Sequence, residues 1–228
     1  FIYSRFGNPT VRMFEDRMIQ FEGTDDARAT ATGMAAVFAC LMSQLTAGDH
    51  IVSARALFGS CRYIVETLLP RYGIDVTLID GRDLNAWERA VQKNTKLFFL
   101  ETPSNPILEI IDLEGACKIG RAHDLRVVVD NVFATPVLQR PVEFGADIII
   151  YSATKHIDGQ GRCLGGIILG DQDYIDNELA NFVRQTGPSL SPFNAWVMLK
   201  SLETLPYAST RIATMQKYWP ICWPTDRR

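Results

Sequence analysis

Asp147-Ile-Ile-Ile-Tyr151-Ser152-Ala-Thr154-Lys155-His156 is the stretch on which the reading of this chain turns. A short apolar run between polar residues reads as a strand buried on both faces, and whatever follows it sits at the strand's carboxyl end. A lysine in that place, flanked by two hydroxyl residues, can form a Schiff base with an aldehyde while its neighbours hold a phosphate. By itself the pentapeptide Ser152 to His156 also reads as a surface lysine opening a loop, so the rest of the chain has to decide.

Two upstream runs, Phe98-Phe99-Leu100-Glu101 and Val127-Val128-Val129-Asp130, repeat the pattern and end in carboxylates. Such runs separated by helical stretches predict parallel strands of an open α/β sheet, whose ligands gather at the carboxyl ends. Glu101, Asp130 and Lys155 would then face one crevice. A cofactor with both an aldehyde and a phosphate is pyridoxal 5′-phosphate, and a carboxylate such as Asp130 keeps its pyridine nitrogen protonated. The other reading of Asp130 is a cap on the following turn, helped by Asn131.

Phosphate needs backbone donors, and Thr30-Ala-Thr32-Gly33-Met34-Ala-Ala36 offers a helix start with Thr32 as cap and Gly33 allowing close approach. The segment reads equally as an ordinary capped core helix. Near the start, Tyr3 and Arg5 are two apart and share one side of an extended stretch, so they can clamp an anion together. They also read as exposed ends of a frayed terminus.

Taken in order, Tyr3-Ser-Arg5-Phe-Gly-Asn-Pro-Thr10, Thr32-Gly33-Met34-Ala35, Glu101-Thr-Pro-Ser-Asn105-Pro106, Asp130-Asn131 and Ser152-Ala-Thr154-Lys155 resemble the pyridoxal-phosphate-dependent enzymes of cysteine and methionine metabolism. The resemblance implies the large domain of the aspartate aminotransferase-like (type I) fold of pyridoxal-phosphate-dependent transferases, an α/β domain with a mostly parallel central sheet and helices on both faces. It gives Lys155 the cofactor aldehyde and then the substrate's Cα and Cβ protons, Asp130 the pyridine nitrogen, and Asn105 the ring hydroxyl. Gly33, Met34, Ser152 and Thr154 match the phosphate cup, which Tyr3 and Arg5 of a neighbouring subunit complete in relatives. Phe58 stands where many relatives stack a tyrosine on the ring; it keeps the stacking and lacks the hydroxyl.

Leu57-Phe58-Gly-Ser-Cys61-Arg62 and the run Lys155 to Gly166 are nearest to the branch that exchanges the succinyl group of O-succinylhomoserine for sulfide, giving homocysteine. The branches that make cystathionine or cleave methionine share the cofactor residues and remain the alternatives. A reading of another class is an inactive remnant that only binds the cofactor or assembles with partners. The resemblance also implies a homo-oligomer, a dimer of dimers in the family.

With 47% hydrophobic and 21% charged residues, net charge −3 and no apolar run of spanning length, the composition fits a cytoplasmic enzyme rather than a membrane protein. No basic stripe suggests nucleic acid. The five cysteines contain no C-x-x-C pair and the three histidines no ligand spacing, so reduced thiols and no metal are expected. Gly159-Gln-Gly161-Arg-Cys-Leu-Gly165 imitates a dinucleotide loop, but Gly166-Ile-Ile-Leu-Gly170 after it reads as a strand where that motif requires a helix.

The pattern predicts helices over 10–21, 33–46, 60–72, 83–92, 112–123, 172–185 and 191–204. It predicts strands over 50–54, 75–79, 96–101, 126–130, 147–151 and 165–169. Residues 1–206 read as one large domain, and 207–228 as a tail unlike the family, with Pro220 and Pro224, no helical periodicity beyond about 216, and no evident core for Trp219 and Trp223. Set against the family, the chain reads as a fragment that starts inside the Tyr3-Arg5 element and lacks the small carboxyl-terminal domain with its substrate-carboxylate arginine.

Overall fold

The predicted apolar runs pair into one sheet. The structure, a computed structural model, describes the backbone of residues 3–222 and the side chains of 3–215. Its strands are β1 (Asp26–Thr30), β2 (His50–Ala54), β3 (Asp75–Ile79), β4 (Thr95–Glu101), β5 (Arg126–Asp130), β6 (Ile148–Ser152) and β7 (Gly166–Gly170). They lie in the order β1-β7-β6-β5-β4-β2-β3, and β7 alone runs against the others. Helix α1 (Pro9–Glu22) precedes them; between them run α2 (Gly33–Met42), α3 (Gly59–Tyr63), α4 (Leu84–Ala90), α5 (Leu113–Ala122) and α6 (Thr135–Leu138); α7 (Ala180–Thr186), α8 (Pro192–Ser201) and α9 (Leu205–Cys222) follow.

The side-chain alternation of each strand decides which helix it meets. Ile148 and Ile150 of β6 join Leu97, Phe99 and Val128 beneath α2 and Tyr174, whereas Ile149 and Tyr151 join Phe14 and Met18 of α1 and Met198 of α8. Phe98, Leu100, Val127 and Val129 pack under Trp87 and α5. All these side chains are at most 1% exposed, and each is worth about 2 kcal/mol on burial. Both faces being covered is why the strands read as continuous apolar runs.

Differences from the predicted map have local causes. Strand β1, Asp-Ala-Arg-Ala-Thr, was not anticipated, because alanine and aspartate are poor strand formers; Ala27 and Ala29 fit since α1 packs close on them. Helix α2 stops at Met42, where the Gln44 side chain turns back to donate to the Cys40 carbonyl at 2.8 Å. The stretch predicted as one helix over 60–72 widens at Ile64–Leu68 and tightens at Leu69–Tyr72. Pro70 cannot donate to the Glu66 carbonyl and its ring crowds that carbonyl, so the regular ladder breaks there.

Helix α9 runs past residue 216, against the sequence expectation. An established helix adds residues at little cost, and a proline in its last turn forfeits one hydrogen bond. The expectations about Trp219 and Trp223 fall outside the described residues, as does the side chain of Cys222. Cys40, Cys61 and Cys117 are free and buried, and Cys163 is free and half-buried. No described helix is long and apolar enough to cross a membrane.

Candidate active site

Glu101 pairs in register with Asp130, and Asp130 with Ile150, so β4, β5 and β6 end side by side. Over these carboxyl ends lies a cavity of about 620 Å³, within the range of small-molecule sites. Eight of the ten residues singled out from the sequence line it: Gly33, Met34, Phe58, Asn105, Asp130, Ser152, Thr154 and Lys155. Tyr3 and Arg5 do not. The Arg5 guanidinium donates to the Arg184 carbonyl and lies over the Tyr3 and Phe6 rings, and Tyr3 is half exposed.

The amino end of α2 enters the cavity. Thr32 caps it, its Oγ1 accepting from Ala35 N–H at 3.0 Å and its carbonyl from Ala36 N–H at 3.1 Å. The amides of Gly33 and Met34 remain the open donors of the first turn, where the helix dipole favours an anion. Gly33 lies so close to β6 that a Cβ there would stand 2.4 Å from Ser152 Cβ and 2.6 Å from its Oγ. Only glycine lets the helix end reach Ser152.

Lys155 follows β6 in a turn held by its amide, which donates to the Ser152 carbonyl at 3.2 Å. Thr154 Oγ1 accepts from Gly165 N–H at 3.1 Å, which ties the turn to the start of β7. Asp158 Oδ1 pairs with Arg162 Nε at 3.0 Å, and Arg162 also reaches Ser201 Oγ at 2.5 Å. Burial opposes ionisation of Asp158, yet the Arg162 amide and guanidinium hold its carboxyl below the usual range. The ion pair braces the Gly159–Gly165 loop, and the Arg162–Ser201 hydrogen bond pins it to α8.

Asp130 is 6% exposed, and burial pushes its carboxyl up to about 6 against the Val132 amide at 3.1 Å and the Cys61 thiol, whose Sγ lies 3.8 Å from Oδ2. Burial raises Glu101 to about 7, with the Asp130 charge adding to it and the amides of Phe58 and Asn105 opposing. Burial also pushes the Cys61 thiol far up and the His156 imidazole down. A buried carboxylate beside an open cavity is suited to a cationic ring nitrogen.

Behind Asp130 lies a buried polar chain. Asn131 Nδ2 donates to Tyr151 Oη at 2.6 Å and to the Gln139 carbonyl at 2.7 Å; Tyr151 Oη donates to Glu22 Oε2 at 2.5 Å. Asn131 therefore braces the strand end rather than entering the cavity. Burial lifts Glu22 to about 7, against the Tyr151 hydroxyl.

The sequence placed Glu101 at the crevice without a role, and it missed Cys61 and His156 as lining residues. Cys61 was findable, since it lies three residues after Phe58 at the start of α3, a spacing that shares one helix face.

The family model for Cys/Met metabolism PLP-dependent enzymes matches residues 1–217. The chain is 53% identical over 205 residues to an O-succinylhomoserine sulfhydrylase of Mycobacterium tuberculosis, covering 90% of this chain and 50% of that protein. It is 38% identical over 207 residues to an L-methionine gamma-lyase of Porphyromonas gingivalis, covering 90% and 52%. The crystal structure of cystathionine gamma-lyase from Lactobacillus plantarum complexed with L-serine superposes with a TM-score of 0.92 at 31% identity, over 99% of this chain and 60% of that one. The chain thus spans about half the length of the curated relatives it matches. Its sheet and flanking helices are the large-domain fold of the type I pyridoxal-phosphate enzymes. With a family model matched over most of its length and half-identical relatives, this chain belongs to the Cys/Met metabolism PLP-dependent enzyme family.

Proposed function

We propose that this cavity serves a pyridoxal-phosphate-dependent γ-replacement in which sulfide displaces the succinyl group of O-succinylhomoserine, giving homocysteine and succinate. The observation that carries the reading is the convergence of Lys155, Asp130 and the open amides of α2 on one cavity. The residues present fit the cofactor: Gly33 keeps the α2 end against Ser152 where a Cβ would collide, and Asp130 is a buried carboxylate facing the cavity with no cation paired to it among the described residues.

When bound, pyridoxal phosphate supplies an aldehyde for the lysine and a protonated ring that withdraws electrons from the substrate's Cα and Cβ. Gly33 and Met34 amides, with the Ser152 and Thr154 hydroxyls, hold its phosphate. Asp130 holds the proton on the ring nitrogen, Asn105 meets the ring hydroxyl, and Phe58 covers a ring face. Lys155 would hold the aldehyde carbon, and its amine, when free, would move protons at the substrate's Cα and Cβ. Tyr3 and Arg5, which stand away from their own cavity, serve the phosphate of a second copy, so the working form is a homo-oligomer, placed in the cytoplasm.

Identity to an O-succinylhomoserine sulfhydrylase above that to a methionine gamma-lyase favours sulfide replacement over lyase chemistry. The test gives cofactor-loaded protein O-succinylhomoserine with sulfide, the same ester with cysteine, and methionine alone. The fastest turnover is expected with sulfide; faster cystathionine formation or methionine cleavage would replace this reading by the corresponding alternative.

A further inference from the structure

Glu101 does something the cofactor residues do not. It is 3% exposed, and its two carboxylate oxygens accept from backbone amides of two separate segments. Oε2 accepts from Phe58 N–H at 2.5 Å, at the entry to α3; Oε1 accepts from Asn105 N–H at 3.0 Å, in the loop after β4. These are the segments that present the ring-stacking side chain and the ring-hydroxyl partner. Their neighbours are anchored, Leu57 at 6% exposure and Ser104 at 0%, while Phe58 and Asn105 themselves are exposed toward the cavity. Loop residues at a binding site keep their place only if something rigid holds them, and the end of a central strand is rigid.

We propose that Glu101 is a positioning residue, a single carboxylate at the end of β4 that clamps the Phe58 and Asn105 segments to each other across the cofactor cavity. The proposal rests on the reading that these segments hold pyridoxal phosphate. A carboxylate suits the task because it offers acceptors on both oxygens and no donor. A glutamine at 101 would satisfy one amide and turn an NH₂ toward the other, so the clamp needs the charged group rather than its shape. The ionisable groups around Glu101 are Asp130 on β5, the Cys61 thiol on α3, and Lys155 and His156 across the cavity.

The test is a pH titration of the cofactor-free 228-residue chain, following the amide resonances of Phe58 and Asn105 by NMR. One carboxylate touching both amides makes them move together with one midpoint, and Asp130→Asn shifts that midpoint downward for both at once by removing a neighbouring charge. Pyridoxal phosphate binding is measured in parallel. Glu101→Gln weakens it by about ten- to a hundredfold, the loss of one charge-assisted hydrogen bond, with a changed pH dependence of the bound cofactor's visible band. Separate midpoints for the two amides, or a Glu101→Gln protein with wild-type affinity and spectrum, would overturn the clamp. The wild-type titration needs no substitution, so a variant that failed to fold would leave the test standing. Failure of the wild-type chain to bind the cofactor, with the amides still titrating together, would overturn the cofactor reading and with it the clamp's proposed purpose; normal binding with independent amides would overturn the clamp alone.

Discussion

Replacing Gly33 by alanine tests the phosphate-holding reading at one atom. The added Cβ would stand 2.4 Å from Ser152 Cβ, 2.6 Å from Oγ and 2.9 Å from Cα. Rotating the serine relieves only the Oγ contact, because Cα and Cβ are fixed by β6, where Ser152 pairs with Gly166. Carbon atoms rest about 3.5–4.0 Å apart, so the first turn of α2 must retreat by roughly 1 Å or more. That retreat carries the Gly33 and Met34 amides away from the phosphate. Each charge-assisted hydrogen bond lost weakens binding by about 1.5–3 kcal/mol, so loss of both predicts a dissociation constant raised at least about a hundredfold. Overall stability changes less: overpacking costs about 1–3 kcal/mol, and alanine's better helix propensity returns up to about 1 kcal/mol.

The assay is a spectrophotometric titration of the purified protein with pyridoxal phosphate, with folding checked by circular dichroism. Gly59→Ala is the control, a first-turn glycine of α3 whose added Cβ meets nothing within 4 Å. It should bind normally. A folded Gly33→Ala protein with a dissociation constant within about threefold of wild type, a difference below about 0.7 kcal/mol, would refute the reasoning.

Asp130→Asn should still take the cofactor at Lys155 but exchange the substrate's Cα hydrogen at least about a hundredfold more slowly, since an amide cannot hold the ring proton; near-normal exchange read by mass spectrometry in deuterium oxide counts against the role. Burial raises Glu15, Glu22 and Glu101 from 4.5 to about 7. A folded-state value above the unfolded one gives stability that is full below pH 4.5 and lost as pH rises through about 7. The cofactor-free chain should therefore have a higher urea midpoint at pH 5.5 than at pH 8, and Glu22→Gln should flatten the slope; a midpoint that climbs across that interval contradicts the burial argument. Asp80, held at about 2 by Arg82, works in the opposite sense at lower pH, and His50 and His156, lowered by burial, work in the opposite sense within the interval, where the three carboxylates outnumber them. Arg162→Ala should cost about 2 kcal/mol by stripping the Asp158 carboxylate of its charged partner. It should also increase protease cutting in the Gly159–Gly165 loop, and unchanged cleavage would mean the ion pair does not hold that loop.

The central sheet was legible because β4, β5 and β6 are covered on both faces, which leaves nearly unbroken apolar runs, each ending at the cavity. Lys155 and Asp130 were readable for the same reason, as polar residues at the ends of buried strands. Strand β1 was not, since its alanines are chosen by the closeness of α1 and carry no strand signal of their own. Glu101 showed as a third carboxylate at a strand end, but its two amide partners come from loops whose approach no local pattern encodes. Tyr3 and Arg5 are a different case, because the resemblance assigns them to a neighbouring copy, and within the single chain they meet Phe6 and Arg184.

The most direct test of the central claim is the identity of the lysine that joins the cofactor. The protein is saturated with pyridoxal phosphate, reduced with borohydride, digested and mapped by mass spectrometry, with the Lys155→Ala variant treated in parallel. The account predicts one stoichiometric pyridoxyl tag on Lys155 and none at that position's peptide in the variant. A tag on Lys93, Lys96, Lys118, Lys200 or Lys217, or no tag in saturated protein, would contradict it.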